Sequence, residues 1–343
     1  MQKISVSGPA ELVTVVPYHL GFQPERSLVA ICLQEKAIGL VARMDLVGSP
    51  HAAQAAAQLS EAICREGATA VALVAYETRP GEARPLADSL GAALGLAGIP
   101  VTEDLVVRDN RWFCLRSDDC PDEGEDLPAP ADVPAVAGYV ALGRAVLSDR
   151  AAMETLVTPA PEACDEGVVE AIEDWRGDYR DAVGGRWDEL AHECFVAWGA
   201  LVTDELSDAA LTTLLPALVG PLEDRDIRDA LIGWLCPGWL PFDVFDERLL
   251  RRLDDLVGLP EDEDEDLVTR GDRRQDVLDR LCRATPDRFA APVLTMAASH
   301  AWWRGNGAKA GICIDRALEL DPDHRLARLI RLGLDHGIRM PAA

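Results

Sequence analysis

The stretch "ATAVALVAY", residues 68–76, is apolar throughout except for Thr69 and the terminal Tyr76. It is bounded by Gly67 on one side and the polar "ETRPGE" (77–82) on the other. A short run of this kind is a strand, and its lack of alternation means that both faces are covered. Such a strand needs helices on either side of its sheet, and the flanking sequence supplies them. "SPHAAQAAAQLSEAICREG" (49–67) is an Ala-rich helix with Ser49 as cap, Pro50 following and Gly67 as its stop. A second helix follows over roughly 82–97.

Upstream, "SLVAICL" (27–33) and "AIGLVARMDL" (37–46) read as strands, and the short "QEK" between them predicts an antiparallel hairpin. Before them, Gly8-Pro9-Ala10-Glu11 opens a helix carrying Leu12, Val15, Val16 and Leu20. Downstream, "VTEDLVVRD" and "RWFCLR" are strands split by Asp109-Asn110, a tight-turn pair. Residues 1–150 therefore read as an α/β domain with a mixed sheet flanked by helices.

Strand signals stop after the Pro-rich acidic loop "CPDEGEDLPAPADVP" (120–134). Four amphipathic helices follow, marked by Val168 to Val183, Leu190 to Leu201, Leu211 to Leu218 and Ile227 to Leu235. Residues 151–257 are thus read as a helical domain, 258–275 as an acidic linker, and 276–343 as a further helical segment. Asp224–Arg228 and Arg225–Asp229 are each spaced i, i+4, the spacing of surface ion pairs on a helix.

Two resemblances rest on particular residues. The segment from Ala291 to His324 resembles a tetratricopeptide repeat, through Ala310, Ile314 and Ala317, Gly305 in the turn and Pro322 at the exit. That resemblance implies two antiparallel helices ending an all-α region, either as a structural hairpin that caps the preceding helices or as a docking surface for another protein. The whole chain is similar to the actinobacterial domain-of-unknown-function family 4192. The residues that carry this are "SGPAELVTVVPYHLGFQPERSLV", "ARMDL", "RWFC" with "CPDEG", "GRAVLSDR", "DRDIRDALI" and "APVLTMAASHAWWRGNGAKAGICIDRALELDPDHRLARL". The family often shows adjacent cysteines where this chain has Asp119-Cys120. This resemblance implies an actinobacterial cytoplasmic protein and no particular chemistry.

Composition narrows the function classes. The 343 residues include 33 Lys and Arg against 59 Asp and Glu, a net charge of −26. Affinity for phosphate backbones and anionic membranes comes from clustered cations, so no nucleic-acid or membrane partner is expected. No apolar run reaches the length of a membrane span, and the start "MQKISVSGPAEL" lacks the apolar core of a signal peptide. Nine scattered cysteines with no C-x-x-C fit reduced thiols in the cytoplasm.

Candidate site residues are few. In the loop "YHLGFQPERSLV" (18–29), Gly21, Phe22 and Pro24 are explained as a left-handed helix cap, a packed ring and a stop. Arg26 and Ser27 are not. Ser27 lacks the G-x-S-x-G frame of a nucleophile elbow. Arg43 and Asp45 share one strand face, either as a solvent-facing ion pair or as part of a polar cluster with Arg26 and Ser27. In the second case, Tyr76 would wall a pocket for a small anionic ligand. Cys114 and Cys120 are too far apart for a zinc pair, and no second pair follows, so no metal is expected. No P-loop or dinucleotide fingerprint is present, so no cofactor is expected either. The leading expectation is a non-enzymatic interaction or regulatory protein, with a ligand-sensing α/β head and a helical C-terminal region that docks a protein partner. The alternative is an enzyme acting on a small anionic metabolite through Ser27, Arg43 and Asp45.

Overall fold

The computed structural model describes residues 6–34, 37–115, 121, 123–141, 144–203, 206–239, 246–256 and 267–338. The chain divides into two compact units. The first runs to Ala152 and includes Asp335–Ile338; the second runs from Met153 to Leu334.

The first unit contains α1 (Pro9–Leu20), β1 (Ser27–Gln34), β2 (Ala37–Asp45), α2 (Ser49–Arg65), β3 (Ala70–Tyr76), α3 (Arg84–Leu96), β4 (Val101–Arg108), β5 (Arg111–Cys114), β6 (Glu125–Asp126) and α4 (Pro134–Ala141). The sheet order is β2-β1-β3-β4-β5-β6. β3 and β4 pair in parallel because α3 carries the chain back between them, and the other neighbours are antiparallel. The sheet is therefore mixed and flanked by helices, as its sequence pattern predicts.

The two faces of β3 bury different sets. Leu28, Ala30, Leu73, Ala75 and Val106 pack with Leu59 and Ile63 of α2 and Leu86 and Leu90 of α3. On the opposite face, Tyr76 reaches α1, where its hydroxyl donates to the Val13 carbonyl at 3.4 Å. The turn between β4 and β5 is made by Asp109 and Asn110 at φ +52° and +60°, the left-handed pair that an I′ hairpin requires.

After α5 (Arg150–Thr155), the second unit contains α6 (Glu166–Asp181), α7 (Gly185–Thr203), α8 (Asp208–Val219), α9 (Arg225–Leu235), α10 (Glu247–Leu256), α11 (Leu267–Ala284), α12 (Asp287–Trp303), α13 (Gly307–Leu320) and α14 (Arg325–Asp335). No strand occurs among its described residues. The fold is an α/β region followed by an all-α region.

Three details depart from the sequence reading. Val183 lies beyond the end of α6 and is exposed, because the helix stops before Gly184 at φ +57°. Of the expected linker 258–275, residues 258–266 lie outside the described ones, and 267–275 form the first half of α11. Arg228 is buried and pairs with its own neighbour Asp229 at 2.7 Å, while Asp224 caps α9 instead of pairing with it. The N-cap demand of the helix takes that carboxylate first.

α12 and α13 meet at a turn through Gly305, at φ +77°, and Asn306 caps α13 by accepting from the Lys309 amide at 3.0 Å. Ala310 and Ala317 are fully buried on α13. Behind this pair runs a buried polar chain. Lys309 pairs with Asp279, which accepts from the Gln275 amide at 3.0 Å, and Gln275 Oε1 faces His300 Nδ1 at 2.9 Å. His300 must therefore donate from Nδ1, which leaves Nε2 as an unprotonated acceptor. Nε2 is buried with no hydrogen-bond partner. Burial, then the neighbouring Arg304, Arg274 and Lys309, pushes the His300 pKa down from 6.5 to about 3. Burial also raises the Asp279 carboxyl, against the pull of Lys309.

Removing one end of a buried pair strands the other charge. Lys309→Met should cost about 3–5 kcal/mol in urea denaturation, and combining it with Asp279→Leu should restore most of that. The His300 contribution has a definite sign. Its folded pKa is depressed, so the unfolded chain takes up the extra proton. The stabilisation is complete above pH 6.5 and is lost as pH falls toward about 3. Asp279 has the opposite sign. The expected result is that His300→Gln loses stability less steeply than the wild type across that window, measured by denaturation at matched pH.

Candidate functional site

The loop before β1 is built as its residues dictate. Gly21 closes α1 at φ +82°, and its amide donates to the Pro17 carbonyl at 2.8 Å. Phe22 and Pro24 are buried. The loop is pinned to Leu147 by two backbone hydrogen bonds, Gln23 N–H to Leu147 O at 2.9 Å and Leu147 N–H to Gly21 O at 3.0 Å. Arg26 sits at φ +40°, a left-handed conformation that costs a non-glycine residue about 1–2 kcal/mol. Its carbonyl accepts from Leu46 N–H at 2.9 Å. Its guanidinium runs to Glu82 Oε1, at 2.7 Å from Nε and 2.6 Å from Nη2. Hydrogen bonds from Arg26, and then from the Thr78 amide and hydroxyl, hold the Glu82 carboxyl down at about 2.

Strand register explains the remaining predicted residues. Ser27 lies opposite Asp45 on one side and Tyr76 on the other, so these three form a row across three strands. Arg43, opposite Val29, shares their face. The sheet thus gathers Ser27, Arg43, Asp45 and Tyr76 but does not open them as one pocket. Ser27 is 0% exposed and Tyr76 only 4%. Burial pushes the Tyr76 phenol up. The Arg43 side chain is 11% exposed and that of Asp45 is 70%, with 2.6 Å between Nη2 and Oδ1. The Arg43 guanidinium also lies 5.7 Å from the Phe22 ring centre. Arg26 turns away to Glu82.

Ser27 Oγ is buried with no hydrogen-bond partner, so no base is poised against it. A buried hydroxyl without a partner destabilises by about 1–3 kcal/mol. Ser27→Ala should therefore be as stable as the wild type or more stable by about 1 kcal/mol in chemical denaturation. A loss of that size instead would show that the hydroxyl is bonded in solution.

The first unit carries a cavity of about 370 Å3 on the opposite face of the sheet, lined by Ala75, Val106 and Phe113 and by Arg84, Asp88 and Arg108. Its wall is built by Glu77, which directly follows β3. One Glu77 oxygen accepts from the Ala83 amide at 2.8 Å, and the other from the Gly81 amide at 3.1 Å and Arg108 Nη1 at 3.0 Å. Arg108 lies 4.6 Å over the Phe113 ring. Glu77 therefore orders the turn into α3 and aims Arg108. Sequence reading missed both residues. The available signal was an acid at the end of an apolar strand, a few residues before a Pro-Gly turn and a helix.

The second unit carries a larger groove of about 850 Å3, where α6, the start of α9, the start of α12, the end of α13 and α14 come together. Phe289, Pro292, Leu320, Leu326 and Leu329 give it apolar lining, and five arginines and five acids line it too. Leu329 is 56% exposed. His324 lies there too; its Nδ1 accepts from the Ala327 amide at 3.2 Å and caps α14, and burial lowers its pKa.

Among the described residues, no group of three or more His, Cys, Asp or Glu side chains is arranged to hold a metal ion, and no helix is long and apolar enough to cross a membrane. Cys114 ends β5, and Cys120 lies outside the described residues.

The chain matches the family described as Domain of unknown function (DUF4192) over residues 9–253 and 264–340, and it belongs to that family. Neither a curated protein nor a solved structure matches it.

Proposed function

We propose that this is a non-enzymatic interaction protein whose helical unit docks a segment of a partner protein. The observation that carries this reading is the groove of about 850 Å3, with Leu320, Leu326 and Leu329 along it. Exposed apolar side chains gathered in a concave surface are the mark of a binding site. The pair α12 and α13, with small Ala310 and Ala317 buried, is read as a repeat-like hairpin that contributes one wall. The α/β unit is read as a small-ligand sensor, on the strength of the cavity beside Arg84 and Arg108. Free cysteines and the absence of any membrane-crossing helix among the described residues support a cytoplasmic setting. The family resemblance supports an actinobacterial one. The alternative of an enzyme at Ser27 has less behind it, since that hydroxyl is sealed and unpaired.

The test is site-specific photocrosslinking in the native cell. A photoreactive side chain at position 329 should trap a protein adduct, and one at the still more exposed Leu96 of the α/β unit should not. Adducts at neither position, or the same adducts at both, would remove the groove as a docking site.

A further inference from the structure

The five arginines and five acids that line the helical groove balance in number but not in pairing. Every acid lining it is already engaged. Glu223 pairs with Arg176, Asp229 with Arg228, Asp287 with Arg316 and Asp323 with Arg328, while Asp321 accepts from the Asp323 amide. Arg288 is held by Glu173. Two lining arginines are different: Arg225 and Arg325 are exposed and make no ion pair among the described residues. Each stands at the first position of its helix, Arg225 on α9 and Arg325 on α14. The helix dipole disfavours a cation there, so helix stability does not account for either one. Both helix starts are already capped, by Asp224 and by His324.

We infer that the groove is selective for an acidic, amphipathic peptide segment of a partner protein, with apolar side chains set against Leu326 and Leu329 and carboxylates set on Arg225 and Arg325. This rests on the docking role proposed above and names the chemistry of the occupant. Charge complementarity selects this occupant. Four of the groove's five acids are ion-paired and Asp321 is not, so among the described residues two unpaired arginines face one unpaired carboxylate, and the unmatched charge is positive. A guanidinium meets a carboxylate through two parallel hydrogen bonds, which gives direction as well as attraction. The chain's net charge of −26 does not forbid this. Interactions between exposed charges are screened beyond roughly 8 Å at physiological ionic strength, so contacts inside the groove decide.

The experiment pans a random dodecapeptide library on the full-length protein, followed by fluorescence anisotropy of the enriched peptides. The enriched sequences should interleave Asp or Glu with Leu, Ile, Met or Phe. Their affinity should fall about tenfold or more on Arg225→Glu/Arg325→Glu, and should also fall on Leu329→Glu. Both arginines are exposed and make no ion pair among the described residues, so the reversals should leave the fold intact, and Arg225→Gln/Arg325→Gln provides a milder second variant. Neutral or basic peptides that bind through Leu329 and ignore both arginine variants would overturn the charge selectivity while keeping the groove. Peptides insensitive to all of these changes, or no enriched peptide at all, would overturn the docking reading itself.

Discussion

β3 has no polar face, and the first unit follows from that constraint. Val71, Leu73 and Ala75 must be covered on one side and Ala72, Val74 and Tyr76 on the other. α2 and α3 take the first side, and α1 lies against the second. A strand in this position needs neighbours on both edges, or its backbone groups would be buried unpaired. β1 supplies one edge and β4 the other. β1 is itself apolar along most of its length and needs a partner in turn. β2 supplies it at the sheet edge, where Arg43 and Asp45 can pair on the outermost strand without being fully desolvated.

This chain of demands is why much of the fold could be read from the residues. The Asp109-Asn110 turn, the Gly21 cap and the shared face of Arg43 and Asp45 are local: each depends on a few neighbouring residues and on fixed strand or helix geometry. Placing Ser27 and Tyr76 beside that pair needed only the hairpin register and the neighbouring strand. The burial of the cluster was not local. Whether Ser27 faces solvent depends on how α1 and the Leu147 segment close over the sheet, and strand periodicity does not carry that information.

The residues whose partners or roles the sequence reading did not give work across long separations or against local rules. Arg26 reaches Glu82 fifty-six residues away and pays for its aim with a left-handed backbone. Glu77 looks like an ordinary surface acid at the end of a strand, yet it satisfies two loop amides and an arginine at once. Arg228 shows the limit of helical spacing as a guide. Its i−4 acid was on the right face of the helix but was already committed to the cap. The groove has no signature in any single segment, because four stretches between Arg176 and Leu329 contribute to it.

The second unit deals with polar groups in two contrasting ways. In the interior, the line from Lys309 through Asp279 and Gln275 to His300 gives each group a partner except one imidazole nitrogen. A partly satisfied buried chain of this kind contributes less to stability than to specifying how α11, α12 and α13 meet, because a shift of one turn would strand several charges at once. At the groove two cationic side chains are left open. Arg225 and Arg325 have neither the burial nor the partners that would make them structural, and their helix positions work against them. The proposed acidic peptide gives these two positions the carboxylate contacts that their own helices do not supply. Such a partner turns two unfavourable positions into the most specific contacts the groove can make.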